Sequence, residues 1–271
     1  MRIDGKQIAE EIRSELKTRV EKLKDKGITP KIAIITLGDE SSWASYVKQK
    51  IKVADELGII AVLLTLEDAD EEKLLKTIHE VDSDPKYHGI IVQRPMPSNI
   101  NRQKVIDAIS SEKDIDGFGT ESPFQVPVWL AVKRIIEQTL GTKMQNIHQN
   151  FVVLGKGETA GGPIVNGLKQ LGFEPMLIDS KTQNPEAILQ NADIIISAVG
   201  KSSVIKPENV KPDAILIGVG THGEDGKLRG DYYDHEVEQK VKFYTPTPGG
   251  VGPVNLSFLF DNLVTAAEKN L

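Results

Sequence analysis

Phe151-Val-Val-Leu-Gly-Lys-Gly-Glu-Thr-Ala-Gly-Gly-Pro163 decides how this chain is read. Phe151 to Leu154 form a short apolar run, the mark of a strand buried on both faces. Gly155, Gly157 and Gly161 follow, then Pro163 and the apolar-periodic Ile164, Val165, Leu168 and Leu171. Strand, glycine turn and helix start is how an α/β fold presents bare backbone N–H groups to a phosphate. Glycine permits the tight turn and a close approach. Pro163 suits the first turn of a helix, where its missing N–H costs nothing. The spacing, G-x-G-x-x-x-G, is one residue longer than the common dinucleotide fingerprint. A ligand-free strand-to-helix turn explains the same residues, and the flanking strand and helix favour the cofactor.

The bulk properties frame this turn. The chain has 271 residues, long for one core and suited to two lobes. Its 39% apolar and 27% charged residues describe a globular protein, and a net charge of −6 argues against a nucleic-acid partner. Without cysteine there is no disulfide framework and no thiolate chemistry. The N-terminus has no apolar run of signal length, and no stretch is long enough to span a membrane. The expectation is a cytoplasmic protein without a membrane partner. None of the five histidines has metal-ligand spacing, so no metal site is expected.

Upstream, strands and helices alternate. Asp4 caps a first helix carrying Ile8, Ile12, Leu16, Val20 and Leu23, with Gln7 completing a capping box. Lys31–Leu37, Ile59–Thr65 and His88–Gln93 read as strands. Between them lie a helix begun by Ser41 or Ser42 and another over Glu71–Val81. Such alternation predicts a parallel sheet covered on both faces, with ligands at the carboxyl ends of its strands. Downstream, Pro127–Thr139 and Val254–Lys269 read as helices. Pro175–Ile178, Ala192–Gly200, Ala214–Gly220 and Lys242–Tyr244 read as strands.

Three features fall near strand ends. Val47, Ile51, Ala54 and Gly58 form the apolar stripe of the second helix, with Lys50 at its rim. Tyr46 is one turn before Lys50 on the neighbouring face. A lysine losing solvation there becomes a candidate proton donor or acceptor, although lysines commonly snorkel. Gln93 ends its strand and can bond either a ligand or a loop. Asp114 and Asp116 flank Ile115 before Gly117, which suits a carboxylate that accepts N–H groups of an amino-heterocycle, or a capped turn.

Tyr46-Val-Lys-Gln-Lys50, Val92-Gln-Arg-Pro-Met-Pro97, Lys113-Asp-Ile-Asp-Gly117 and Thr245-Pro-Thr-Pro-Gly-Gly-Val-Gly-Pro253 occur in this order around the glycine turn. The set resembles the bifunctional methylenetetrahydrofolate dehydrogenase/methenyltetrahydrofolate cyclohydrolase (FolD) family over nearly the whole chain. The resemblance implies two α/β lobes with a cleft between them. A folate-binding lobe takes residues 1–120 and 252–271, and a Rossmann-like dinucleotide lobe with a parallel sheet takes 121–251. It also implies a reduced folate substrate, a nicotinamide cofactor and a homodimer. By the same resemblance Lys50 is the catalytic lysine and Tyr46 the tyrosine beside the folate ring. Gln93 holds the lysine, Asp116 grips the pterin, and Gly249 and Gly250 line the substrate. Gly155, Lys156, Gly157, Ser180, Lys181 and Thr221 serve the cofactor.

Trp43 stands where the family usually has serine. The 118–127 segment is shortened, Gly157 replaces a serine, and Gly218-Val-Gly-Thr-His222 replaces Asp-Val-Gly-Ile-Asn. These departures keep a second reading open, a folate- or nucleotide-binding homologue that has lost one or both activities. Asp179, at the end of the second strand of the dinucleotide lobe, suits a ribose 2′-OH and so NAD, whereas Ser180 and Lys181 suit a 2′-phosphate. The expectation is NADP, with NAD not excluded.

Overall fold

The computed structural model describes residues 1–38, 43–68 and 70–269, so the expected helix cap at Ser41 or Ser42 lies outside them. The chain divides into two compact units. One comprises Glu11–Pro127 and Leu256–Leu271, the other Met1–Glu10 and Val128–Asn255.

The elements follow in chain order. They begin with α1 (Gly5–Asp25), β1 (Lys31–Leu37), α2 (Ala44–Leu57), β2 (Ile60–Leu66), α3 (Glu71–Ser83), β3 (Gly89–Val92) and α4 (Arg102–Asp107). Next come α5 (Pro127–Leu140), β4 (Phe151–Leu154), α6 (Gly161–Gln170), β5 (Met176–Ile178), α7 (Pro185–Leu189), β6 (Ile194–Ser197) and β7 (Ile215–Gly218). A hairpin of β8 (Thr221–Glu224) and β9 (Lys227–Gly230), then α8 (Asp234–Val237), β10 (Phe243–Tyr244) and α9 (Val251–Glu268) complete the fold.

In the first unit three parallel strands run in the order β2-β1-β3. Ile32 to Ile35 of the central strand are fully buried, because helices cover both of its faces. The edge strand β2 leaves Ile60 and Leu63 exposed. Asp4 Oδ1 caps α1 by accepting from Lys6 N (3.0 Å) and Gln7 N (3.2 Å), as the sequence predicts. Arg19 on α1 bonds Glu268, Asp261 and Thr265 on α9. On α9, the buried Asn262 donates to Ile115 O (2.8 Å) and Gln125 O (3.0 Å), which fixes the Asp116 loop against the helix. Phe260 is fully buried on the same helix, a burial that contributes about 1.5–3 kcal/mol.

The second unit holds five parallel strands in the order β10-β7-β6-β4-β5. Strands β4, β6 and β7 are buried along their length, as their apolar runs predict. The β8–β9 hairpin turns at Asp225-Gly226, with Glu224 opposite Lys227. Residues 1–10, expected with the folate lobe, belong to this unit because the chain start runs beside β10. Ile3 N donates to Tyr244 O (2.8 Å) and Tyr244 N to Met1 O (3.0 Å).

Candidate functional site

Lys50 sits in the middle of the buried face of α2, not at its rim. At about 100° per residue, the buried Trp43, Val47, Val53, Ala54 and Leu57 all fall within about 60° of Lys50 around the helix axis. Ile51, expected in the stripe, lies about 100° from Lys50 and is 38% exposed. Gly58 is the left-handed C-cap of the helix rather than part of the stripe. Burial therefore acts on the ammonium, and it lowers the Lys50 pKa against the opposing pull of Asp116. Lys50 Nζ donates to Gln93 Oε1 at 2.8 Å. Gln93 is itself buried and donates from Nε2 to Arg94 O at 2.6 Å. Tyr46 lies one turn before Lys50 and is 47% exposed. The loop after β1 leads into α2, and Gln93 follows β3, its neighbour in the sheet. The two side chains thus meet at the carboxyl end, where adjacent parallel strands diverge to opposite sides.

The two aspartates of Lys113-Asp-Ile-Asp-Gly117 separate cleanly. Buried Asp114 closes the turn, accepting from Gly117 N (3.1 Å) and Gly119 N (2.8 Å). Gly117 has φ +70°, and a Cβ there would meet Phe124 O at 2.6 Å, so the turn requires glycine. Asp116 faces the cations instead. Burial pushes its carboxyl up to about 6, opposed by Lys50 and Arg94 and reinforced by Asp114. The Arg94 guanidinium stacks over Phe118, 4.4 Å from the ring centre. Arg94, Asp116 and Phe118 line a small recess of about 20 Å³ together with Ile90, Val92 and Met96.

In the second unit, Gly155 ends β4 with φ +88°, and a Cβ there would meet Ala198 O at 2.6 Å. The loops after β4 and β6 therefore touch, at the point where the strand order reverses. Gly161 opens α6 so close to Gly155 that a Cβ would lie 2.0 Å from the Gly155 carbonyl oxygen. Nothing lies within 4 Å of a Cβ built on Gly157, so open space fronts the turn. Lys156, Ser180 and Lys181 are exposed beside it, with Lys156 Nζ 2.7 Å from Asp179 Oδ2. Such a cradle, with cations at its rim, fits a dinucleotide phosphate. Thr221 is exposed and starts β8, its carbonyl oxygen near Gly200. Gly249 and Gly250 are buried in this unit, where a Cβ on Gly5 would meet Gly250 O at 1.9 Å.

The tetrahydrofolate dehydrogenase/cyclohydrolase catalytic domain matches residues 3–116, and the NAD(P)-binding domain of the same enzymes matches residues 130–271. The chain belongs to the tetrahydrofolate dehydrogenase/cyclohydrolase family. Among curated members, the bifunctional protein FolD of Staphylococcus epidermidis is 38% identical, over 98% of this chain and 96% of that protein. The FolD crystal structure from Campylobacter jejuni superposes with a TM-score of 0.93 at 31% identity, over 100% of this chain and 99% of that one. The Trypanosoma brucei FolD structure, complexed with NADP cofactor and inhibitor, gives 0.90 at 27% identity, over 100% and 98%. The family's α/β fold, with a catalytic and an NAD(P)-binding domain, is thus that of this chain.

One residue of this family member escaped the sequence reading. Fully buried Asp231 accepts from Ser197 Oγ (2.6 Å), Val199 N (2.9 Å), Gly200 N (2.7 Å) and Lys201 N (3.0 Å). It shapes the loop that meets Gly155. The only signal was an Asp following Arg229-Gly230, which local pattern reads as an ordinary turn.

Proposed function

We propose that this protein oxidises 5,10-methylenetetrahydrofolate to the 5,10-methenyl form with NADP and hydrolyses that product to 10-formyltetrahydrofolate. Folate is assigned to the unit Glu11–Pro127 with Leu256–Leu271, and the dinucleotide to the unit Met1–Glu10 with Val128–Asn255. The observation that carries the reading is the half-buried Lys50, bonded to Gln93 and interacting electrostatically with Asp116.

Bound NADP supplies a hydride acceptor at the nicotinamide ring. The N–H groups of the turn from Gly155 through Gly157 and of the α6 N-terminus hold its pyrophosphate. Lys156, Ser180 and Lys181 take the ribose 2′-phosphate, and Thr221 contributes at the neighbouring strand end. NADP on the Trypanosoma brucei relative supports this choice.

On the folate side, ionised Asp116 accepts two N–H bonds from the pterin and orients it. Tyr46 offers an aromatic face to the ring system. Oxidation leaves a cationic one-carbon unit open to water. Lys50, its pKa depressed by burial, takes a proton from that water and returns one to the departing ring nitrogen, which opens the five-membered ring. Gln93 holds the Lys50 nitrogen in place throughout.

The reading includes a homodimer through the dinucleotide unit. The edge strand β5 supports it, with Met176 and Leu177 exposed and Leu171 exposed nearby. The deciding experiment supplies methylenetetrahydrofolate with NADP or NAD and follows reduced-nicotinamide absorbance, then the disappearance of the methenyl chromophore. Binding of folate without either signal would favour a homologue that has lost its activities.

A further inference from the structure

Asp179 follows β5 and gathers three donors from two segments of chain. Its Oδ2 accepts from Lys156 Nζ at 2.7 Å. Its Oδ1 accepts from Lys181 N at 2.9 Å and Thr182 Oγ1 at 3.3 Å. An ammonium, a backbone N–H and a hydroxyl converging on one oxyanion make an anion site, here filled by the chain's own carboxylate. The donors hold that carboxylate firmly ionised, its pKa drawn down to about 2, chiefly by Lys156. The pair nevertheless lies in water, with the Lys156 side chain 64% exposed. An exposed ion pair contributes little and exchanges readily for a stronger partner. A phosphate dianion with three acceptor oxygens is such a partner.

We propose that Asp179 sets the cofactor preference of this chain by occupying, through Lys156, the donors that a ribose 2′-phosphate must take. The inference rests on the dinucleotide reading given above and deepens it. NADP has to displace the Asp179 carboxylate from Lys156 and then sits beside it, like charge against like charge. NAD leaves the ion pair closed, and its ribose 2′-OH donates to the carboxylate. Lys156 and Lys181 therefore favour NADP less than two cations at this place otherwise would, and both nucleotides bind. The ion pair acts as a charge balance between the glycine turn and the end of β5, visible only once the fold has brought residues 156 and 179 together.

The test is calorimetric titration of the whole purified chain with NADP and, separately, with NAD, for the wild type, Asp179→Asn and Lys156→Met. Thermal unfolding first confirms that the exposed substitutions leave the fold intact. Removing one carboxylate at contact distance from a phosphate in water predicts that Asp179→Asn raises the NADP:NAD affinity ratio by about tenfold. Lys156→Met is expected to lower that ratio, with the loss falling on NADP. An unchanged ratio in Asp179→Asn, with both nucleotides still bound, would overturn the inference and leave the dinucleotide site standing. A wild-type chain that binds neither nucleotide would remove the site and the inference together.

Discussion

Lys50 on α2 and Gln93 after β3 are joined by a 2.8 Å hydrogen bond across 43 residues of chain. The bond joins a side chain of helix α2 to the residue that follows strand β3. It holds a cation that burial is simultaneously pushing toward neutrality. Burial lowers its pKa from the ordinary lysine value, which favours a part in proton transfer.

Replacing Lys50 by Met keeps the length of the stem and removes the titrating nitrogen. Loss of a positioned proton-transfer group lowers a rate by about 10²–10⁴-fold. Hydrolysis of methenyltetrahydrofolate is expected to fall by that amount, with a cooperative thermal unfolding transition showing that the variant is still folded. Hydrolysis at the wild-type rate would remove Lys50 from the mechanism.

Gln93→Leu takes away the acceptor that favours the charged lysine. A hydrogen bond to a charged group contributes about 1.5–3 kcal/mol, equivalent to about 1–2 pKa units. The Lys50 pKa is therefore expected to drop further, moving the rising limb of the hydrolysis pH profile toward acid. A profile that keeps its position while losing height would mean that Gln93 only orients the lysine.

Asp116 titrates upward, to about 6, through burial. A folded-state pKa above the unfolded value means that the folded state binds the extra proton. This stability is complete below the unfolded pKa, near 4, and disappears as pH rises through about 6. Asp116→Asn is expected to flatten that part of the stability curve and to raise the KM for folate. Unfolding midpoints on either side of pH 6, compared between variant and wild type, check the first effect, and saturation kinetics check the second.

The two glycines of the turn are expected to behave oppositely. A Cβ on Gly161 would lie 2.0 Å from the Gly155 carbonyl oxygen, a backbone atom that cannot step aside. Gly161→Ala should destabilise by about 1–3 kcal/mol or more. Gly157→Ala meets open space and should stay within about 0.5 kcal/mol. Chemical denaturation of both variants measures the contrast, and equal losses would mean that the turn is not packed as described.

Much of the architecture was legible in local pattern. Lys31–Leu37 reads as a strand because its apolar residues run without a break, and it is the central strand with helices on both faces. Asp4 reads as a cap because its carboxylate suits the orphan N–H groups of α1, and it takes two of them. The place of Lys50 around its helix differs from the periodic reading for a physical reason. A stripe drawn through apolar residues alone rotates toward Ile51 and leaves the lysine at the edge, whereas the buried face is centred on the lysine itself. Residue type announces burial only when the buried group is apolar.

Periodicity, turn residues and the four motifs were enough, unaided, to establish an α/β chain with a glycine turn and the residues that resemble a folate enzyme. These signals act over a few residues, where backbone geometry and side-chain patterning are linked directly. Only the folded chain decided that Asp114 closes its own turn while Asp116 faces Lys50. It also decided that Asp179 is held by Lys156, and that buried Asp231 braces the loop against Gly155. Electrostatic partnership depends on distance through space, and partners brought together by parallel strands stand far apart along the chain, where no local pattern records them.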